Sequence, residues 1–234
     1  DMAKVTPKDY VIDLGSGDGR TVITAAKRGA RALGIEYNPD MVELSKRNAA
    51  KEGVSDKANF VKADLFESDF SQATVITMFL LPEINLKLRP TILDLKPGTR
   101  IVSNTFTMGD WTADETADVS GCNNWCTALL WIVPAKTEGT WQLPQGFDLS
   151  SAEGELTLKQ NFQMISGTLK SGSNTAPITN GRLSGDQISF SAGGAQYTGR
   201  VSGNAIEGTV KSGGSNSRWS ASRAGKPAAA PARS

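Results

Sequence analysis

The residues best suited to chemistry lie near the start of the chain, in Val11-Ile12-Asp13-Leu14-Gly15-Ser16-Gly17-Asp18-Gly19-Arg20. Val11, Ile12 and Leu14 supply the apolar run of a strand covered on both faces, and Thr21-Val22-Ile23-Thr24-Ala25-Ala26 opens a helical pattern directly after the last glycine. Glycine leaves the backbone bare and adopts angles that side chains forbid. A ligand can therefore approach the carboxyl end of the strand, where open α/β sheets bind their ligands. The spacing G-x-G-x-G is one residue short of the dinucleotide fingerprint G-x-G-x-x-G, and the carboxylates of Asp13 and Asp18 would repel a diphosphate. A cationic ligand suits this loop better.

Two further acids close apolar stretches downstream. Glu36, followed by Tyr37, ends Ala32-Leu33-Gly34-Ile35, and a carboxylate there commonly takes two ribose hydroxyls; that position alone does not exclude NAD. Asp64, followed by Leu65, ends Phe60-Val61-Lys62-Ala63. Any one of these acids taken singly is the pattern of a helix cap or a solvated loop. Three successive strand ends, each with a carboxylate on the same sheet edge and joined to the glycines, point to one binding site.

The run D-L-G-S-G-D-G at 13–19, then G-I-E at 34–36 and A-D-L at 63–65, resembles the class I S-adenosylmethionine-dependent methyltransferases. The likeness covers roughly the first 140 residues. It implies S-adenosyl-L-methionine as cofactor. Asp13, Gly15 and Gly17 would lie at its methionine portion, Glu36 at the ribose, Asp64 and Leu65 at the adenine, with Ser16, Gly19 and Tyr37 in the same binding set. A narrower likeness lies in G-S-G-D-G-R at 15–20, Gly34-Ile35-Glu36-Tyr37-Asn38-Pro39, Phe79-Leu80-Leu81-Pro82 and Pro97-Gly98-Thr99-Arg100-Ile101-Val102-Ser103. These are similar to the small protein-lysine methyltransferases that include the ATP synthase c-subunit lysine methyltransferase, which implies a lysine or other amine as acceptor.

Composition removes several other chemistries. The 234 residues carry 25 Lys and Arg against 24 Asp and Glu, a net charge of +1, and contain no histidine. Without imidazole there is no Ser-His-Asp triad and no His-containing zinc site; no metal is expected. Without a basic stripe to neutralise phosphates, no nucleic-acid partner is expected, and a protein or small-molecule acceptor fits better. Cys122 and Cys126, in Gly-Cys-Asn-Asn-Trp-Cys, are too few for a four-ligand zinc site; they could close a small disulfide loop or remain reduced. No apolar run approaches the ~20 residues of a membrane span. The first residues do not read as a signal peptide, so a cytoplasmic location is expected. Export stays open, since the chain begins at Asp1 and an upstream piece is expected to be missing.

Strand and helix signals alternate from Tyr10 to about Ser103, with Pro39-Asp40 starting the second helix and Gly53 stopping it. Such alternation predicts a parallel sheet with helices on both faces. Cys126-Thr127-Ala128-Leu129-Leu130-Trp131-Ile132-Val133 reads as a further central strand, and Thr140-Trp141-Gln142-Leu143 as its antiparallel return. The expected class is therefore α/β, a Rossmann-like class I methyltransferase sheet over residues 1–143. From about Gly154 glycine and serine rise, and seven short alternating strands separated by turn residues predict a small antiparallel all-β meander or barrel over 154–223. Gly139-Thr140-Trp141 and Arg223 resemble the Gly-x-Trp strand and closing arginine of lipocalin-like barrels. Trp141 serves one of these roles only, and the methyltransferase hairpin is preferred. Residues 224–234, rich in Ala and Pro, are expected to form a flexible tail.

Methyl transfer from a sulfonium needs positioning and desolvation more than acid-base machinery. A lysine acceptor must arrive deprotonated, which a partly apolar channel favours. Phe79 and Pro82 are the candidates for lining that channel, with Asn104, Asp110 and Trp111 as contacts from the next loop. Glu83 reads as a first-turn carboxylate. Two other functions compete with a methyltransferase acting on a protein lysine or similar amine. One is an NAD-type oxidoreductase; the other is a binding module in which the β domain acts beside a catalytically inactive methyltransferase-like scaffold. In an active enzyme the β domain would help select the substrate.

Overall fold

The computed structural model describes residues 1–144 and 153–225, which form two compact units divided after Val133. The expected tail lies, from residue 226, outside the described residues.

In the first unit the elements run β1 (Tyr10–Leu14), α1 (Arg20–Lys27), β2 (Arg31–Glu36), α2 (Pro39–Lys51), β3 (Ala58–Lys62), β4 (Val75–Met78), α3 (Pro82–Leu93), β5 (Arg100–Asn104), β6 (Glu115–Asp118) and β7 (Thr127–Ile132). The sheet order is β3-β2-β1-β4-β5-β7-β6; the first five are parallel, and β7 runs antiparallel to both β5 and β6. Val11, Ile12, Leu14, Val75, Ile76 and Ile101 are buried, as strands covered on both faces require. α1 turns Val22, Ile23, Ala25 and Ala26 inward. α2 starts where Asn38 Oδ1 accepts from the Asp40 N–H at 2.9 Å and Pro39 supplies a preset first turn. Strand order reverses between β1 and β4, so the connections leaving their carboxyl ends diverge and open a crevice there.

The second unit comprises β8 (Gly139–Leu143), β9 (Gly154–Asn161), β10 (Met164–Ser171), β11 (Asn174–Pro177), β12 (Thr179–Ser184), β13 (Gln187–Ala192), β14 (Ala195–Ser202), β15 (Ala205–Ser212) and β16 (Ser215–Arg223). Each strand pairs antiparallel with the next or nearly next, and β16 returns to β8, closing an eight-stranded barrel in which β11 extends the line of β12 along β10. All seven strands expected between 156 and 221 are present. Alternate residues such as Leu156, Leu158, Leu183, Phe190, Tyr197, Ile206 and Trp219 face inward and fill the core. Gly208 lets β15 press against β14, since a Cβ there would fall 1.9 Å from the Thr198 carbonyl oxygen.

One end of this barrel is plugged. The Gln160 side chain accepts from Thr137 N at 2.7 Å and donates to the carbonyls of Ala135 and Phe162 at 2.9 and 2.8 Å. Arg223 lies 4.3 Å over the Trp141 ring and donates to the carbonyls of Glu138 and Lys136, while Trp141 Nε1 donates to Thr137 O at 2.8 Å. The other end opens into a cup of about 380 Å³ whose lining includes Leu169, Tyr197 and Val210 below and Ser171, Asn174 and Asn216 above.

These contacts correct the expected boundary. β8, with Trp141, belongs to the barrel and not to the first sheet; the units divide after Val133, and the sheet's closing hairpin is β6 with β7. The physical reason is that Ala135, Trp141 and Leu143 are all buried against the barrel core, where the guanidinium of Arg223 can cover the indole. β6 gave no sequence signal because all four of its residues are exposed. Trp141→Ala should therefore destabilise the second unit by about 3–5 kcal/mol. Hydrogen exchange read segment by segment should show protection falling in β8, β9 and β16 and unchanged in β1 and β4; loss in β1 and β4 instead would restore Trp141 to the first sheet.

Candidate active site

The crevice at the carboxyl end of β1 is built by backbone bonds between neighbouring strands. Gly15 N and Ser16 N both donate to Ile35 O, at 2.9 and 3.1 Å, and Gly17 N donates to Glu36 Oε2 at 2.9 Å. The other oxygen of Glu36 accepts from Asn38 N at 3.0 Å. From α2, Ser45 Oγ donates to Gly17 O at 2.8 Å and Asn48 Nδ2 to Asp18 O at 2.9 Å. The loop is thus clasped from the β2 side and from the α2 side. Its outer face stays open: at Gly17, φ +52°, the nearest atom to an added Cβ is Met41 Cε at 4.0 Å. At Gly19, φ +82°, an added Cβ would meet the Phe60 ring at 2.7 Å and Ser45 at 2.9 Å, so this glycine serves packing.

Asp13 is buried at the register position shared by Gly34 on β2 and Thr77 on β4, and Thr77 Oγ1 donates to its Oδ1 at 2.6 Å. Burial pushes its carboxyl pKa up to about 7, against the opposing Thr77 hydrogen bond and with help from the charges of Glu36 and Asp18. Asp18 itself faces Arg20 at 2.6 Å, whose hydrogen bond holds its carboxyl below the ordinary range. Asp64 sits in the turn after β3, where Oδ1 accepts from Phe66 N at 2.8 Å. Ala63 N donates to Glu36 O at 3.0 Å, which joins that turn to the end of β2. Because β3, β2 and β1 are adjacent, Asp64, Glu36 and Asp13 follow one another along a single edge.

Among the other expected cofactor residues, Tyr37 is exposed and Leu65 half-buried on this edge. Ser16 is in the turn, with its hydroxyl buried 2.5 Å from where a Cβ at Gly34 would lie.

Among the residues expected on the acceptor side, Phe79 is half exposed just after β4. The next residue, Leu80, comes within 2.9 Å of where a Cβ on Gly15 would lie, which sets this loop directly against the glycine turn. Pro82 is exposed at the first turn of α3, and Asn104, half-buried at the end of β5, accepts from Thr105 Oγ1 at 2.9 Å. Two expected contacts are corrected. Asp110 forms an ion pair with Arg89, and Trp111 is fully buried beside Trp131, 6.2 Å between ring centroids. Both anchor the loop after β5 to α3 and β7.

Sequence reasoning missed Phe106 and Trp125. Phe106 stacks on Phe79 at 5.6 Å, and Trp125 lies 5.9 Å from Phe79 and 5.2 Å from Phe106. The signal lay in Gly-Cys-Asn-Asn-Trp-Cys: Cys122 and Cys126 are joined by a disulfide, which fixes the loop that carries Trp125.

The chain matches the ANTKMT methyltransferase domain family over residues 13–115, a span that opens on Asp13. It is 43% identical over 136 residues to a protein-lysine N-methyltransferase of Saccharolobus islandicus (strain REY15A), covering 57% of this chain and 84% of that protein. It is 39% identical over 106 residues to the human lysine N-methyltransferase of the ATP synthase c-subunit, covering 45% of this chain and 46% of that protein; the chain thus spans about half of that relative's length. A crystal structure described as an RNA methyltransferase from Salinibacter ruber in complex with S-adenosyl-L-homocysteine superposes with a TM-score of 0.55 at 46% identity, covering 58% of this chain and 88% of that one. The bare glycine turn and the row of strand-end acids fit a sulfonium nucleoside, as the resemblance implied. The chain belongs to the S-adenosylmethionine-dependent class I methyltransferases, in the family of the protein-lysine N-methyltransferases.

Proposed function

We propose that this enzyme methylates a lysine side chain of a protein. The observation that carries this reading is the placing of the Phe79–Pro82 loop against the same glycine turn that ends in the strand-edge acids, so that donor and acceptor sites share one rim. When bound, S-adenosylmethionine supplies an electrophilic methyl group whose sulfur departs neutral. In this reading Glu36 and Asp64 take the ribose and adenine, and Asp13 with the Gly15–Gly17 backbone holds the methionine end. An incoming amine meets half-exposed Phe79 and Leu81. The chain has no histidine, and in-line displacement by a neutral amine needs none. The net charge of +1 favours a protein over an RNA acceptor.

Labelled methyl donor in cell extract tests this reading. Label should survive nuclease and be released by protease, with methyllysine in the hydrolysate; label lost to nuclease would make the acceptor RNA. Glu36→Ala, which removes the clasp on Gly17 and Asn38 as well as a ribose contact, should weaken donor binding about a hundredfold.

Asp13 gives a pH test. Its folded pKa lies above the ordinary carboxylate value, so it stabilises the free protein fully at low pH, and that contribution is lost as pH rises through about 7. A bound cation favours the carboxylate, so donor binding should release a proton below about pH 7 and tighten as pH rises toward it. Calorimetry in buffers of different ionisation enthalpy should show that release in the wild type and not in Asp13→Asn. Asp13→Asn should also raise the melting temperature of the free protein at pH 8 and not at pH 4.

A further inference from the structure

The barrel of the second unit is solid at one end and hollow at the other, and the side chains that face inward explain both. Toward the plugged end they are large: Leu158, Leu183, Ile206 and Trp219 are buried there. Toward the other end they shrink. Ser171 with Asn174, Ala192 with Ala195 and Ser212 with Ser215 are the last paired positions of three hairpins, and all six line the cup. One inward-facing position deeper stand Leu169, Ala176, Tyr197, Val210 and Ser217. A barrel of eight strands is just wide enough for its side chains to fill it, so the small residues at this end leave about 380 Å³ unfilled. The opposite end stays closed, because its turns are tied down: Ala135 N donates to Gly185 O at 2.8 Å and Arg223 N to Asn204 O at 2.9 Å.

The lining selects among possible occupants. It contains no Asp, Glu, Lys or Arg. A charged molecule would therefore give up its hydration there with no ion to replace it. The floor is apolar and rigid. The Tyr197 ring stacks on Phe190 at 4.8 Å, and Trp219 braces both edge-on at 5.5 and 5.8 Å while its Nε1 donates to Thr198 O at 2.9 Å. A surface already fixed in this way spares a ligand the cost of ordering it. The rim differs, since the hydroxyls of Ser171, Ser212 and Ser215 and the amides of Asn174 and Asn216 can each donate and accept.

We propose that the open end of the barrel binds a small uncharged molecule with an apolar body and a hydroxyl or amide end. The body rests on Leu169, Tyr197 and Val210, and the polar end lies among the serines and asparagines of the rim. The volume falls in the lower part of the range of small-molecule sites, which suits a medium-chain alcohol or a compact aromatic compound and excludes a phospholipid. This site goes beyond the methyl-transfer reading and does not depend on it.

N-phenyl-1-naphthylamine, an uncharged fluorophore that brightens in apolar surroundings, serves as the probe. It should bind the full chain saturably, and 1-octanol should displace it at about a tenth of the concentration required of octanoate or octyltrimethylammonium. Ala195→Leu and Ser217→Leu fill the cup and should each weaken the probe about tenfold, whereas Arg218→Ala, on the exposed outer face of β16, should leave it unchanged. Thermal melting checks that the filled variants fold, and the octanol series on the wild type decides the question without them. Charged and uncharged competitors of equal strength, or no saturable binding to the wild type, would overturn the proposal. So would probe binding that ignores both filled variants, the result expected if the exposed rings of Phe79 and Trp125 held it instead. Affinity for S-adenosylhomocysteine, unchanged in either filled variant, reports on the methyltransferase reading separately.

Discussion

The clasp of Glu36 on two backbone N–H groups is the interaction on which the site depends. A glycine-rich turn has many accessible conformations, and a ligand that had to order it would lose affinity to that ordering. Here Glu36 bonds Gly17 on one side and Asn38 on the other, so one carboxylate fixes the turn after β1 to the turn that starts α2. Charge-assisted bonds of this kind are among the stronger ones available. The rigid turn then holds Leu80, and through it the Phe79–Pro82 loop.

Asp13 shows the complementary constraint. Its carboxyl is buried between β2 and β4, with Thr77 as its side-chain partner, and two other acids lie close enough to oppose its ionisation. A buried carboxyl of this kind weakens the free protein wherever it must ionise. Retaining it makes physical sense where a cation arrives to compensate, as a sulfonium donor with a free amino group does. The strand edge is thus incomplete electrostatically until the donor is present.

Much of this was legible in the sequence because the signals were local. The buried strands at Tyr10–Leu14 and Arg100–Asn104, the Asn38-Pro39 helix start and the seven alternating strands of the barrel each depend on residues close in the chain. What was not legible depends on distant partners. Trp141 could pair with either neighbour until Arg223, far along the chain, closed over it. Asp110 and Trp111 have the residue types of a polar and aromatic contact, but Arg89 and Trp131 draw them into structure. β6, exposed along its length, is held by pairing alone and carries no apolar pattern to read.

The same distinction bears on how the enzyme achieves its rate. In-line methyl transfer gains little from acid-base groups and much from alignment, since holding two reactants at attack distance removes an entropic cost of several kcal/mol. Alignment is a property of backbone, and in this chain the backbone on both sides of the reacting atoms is fixed by residues that need not touch the methyl group. Glu36, Ser45 and Asn48 fix the donor side; Asn85 and Ser103 fix the loop that carries Phe106. Substitutions in this supporting set should therefore depress turnover by misplacing the reactants, even though the residues themselves have no chemistry to perform.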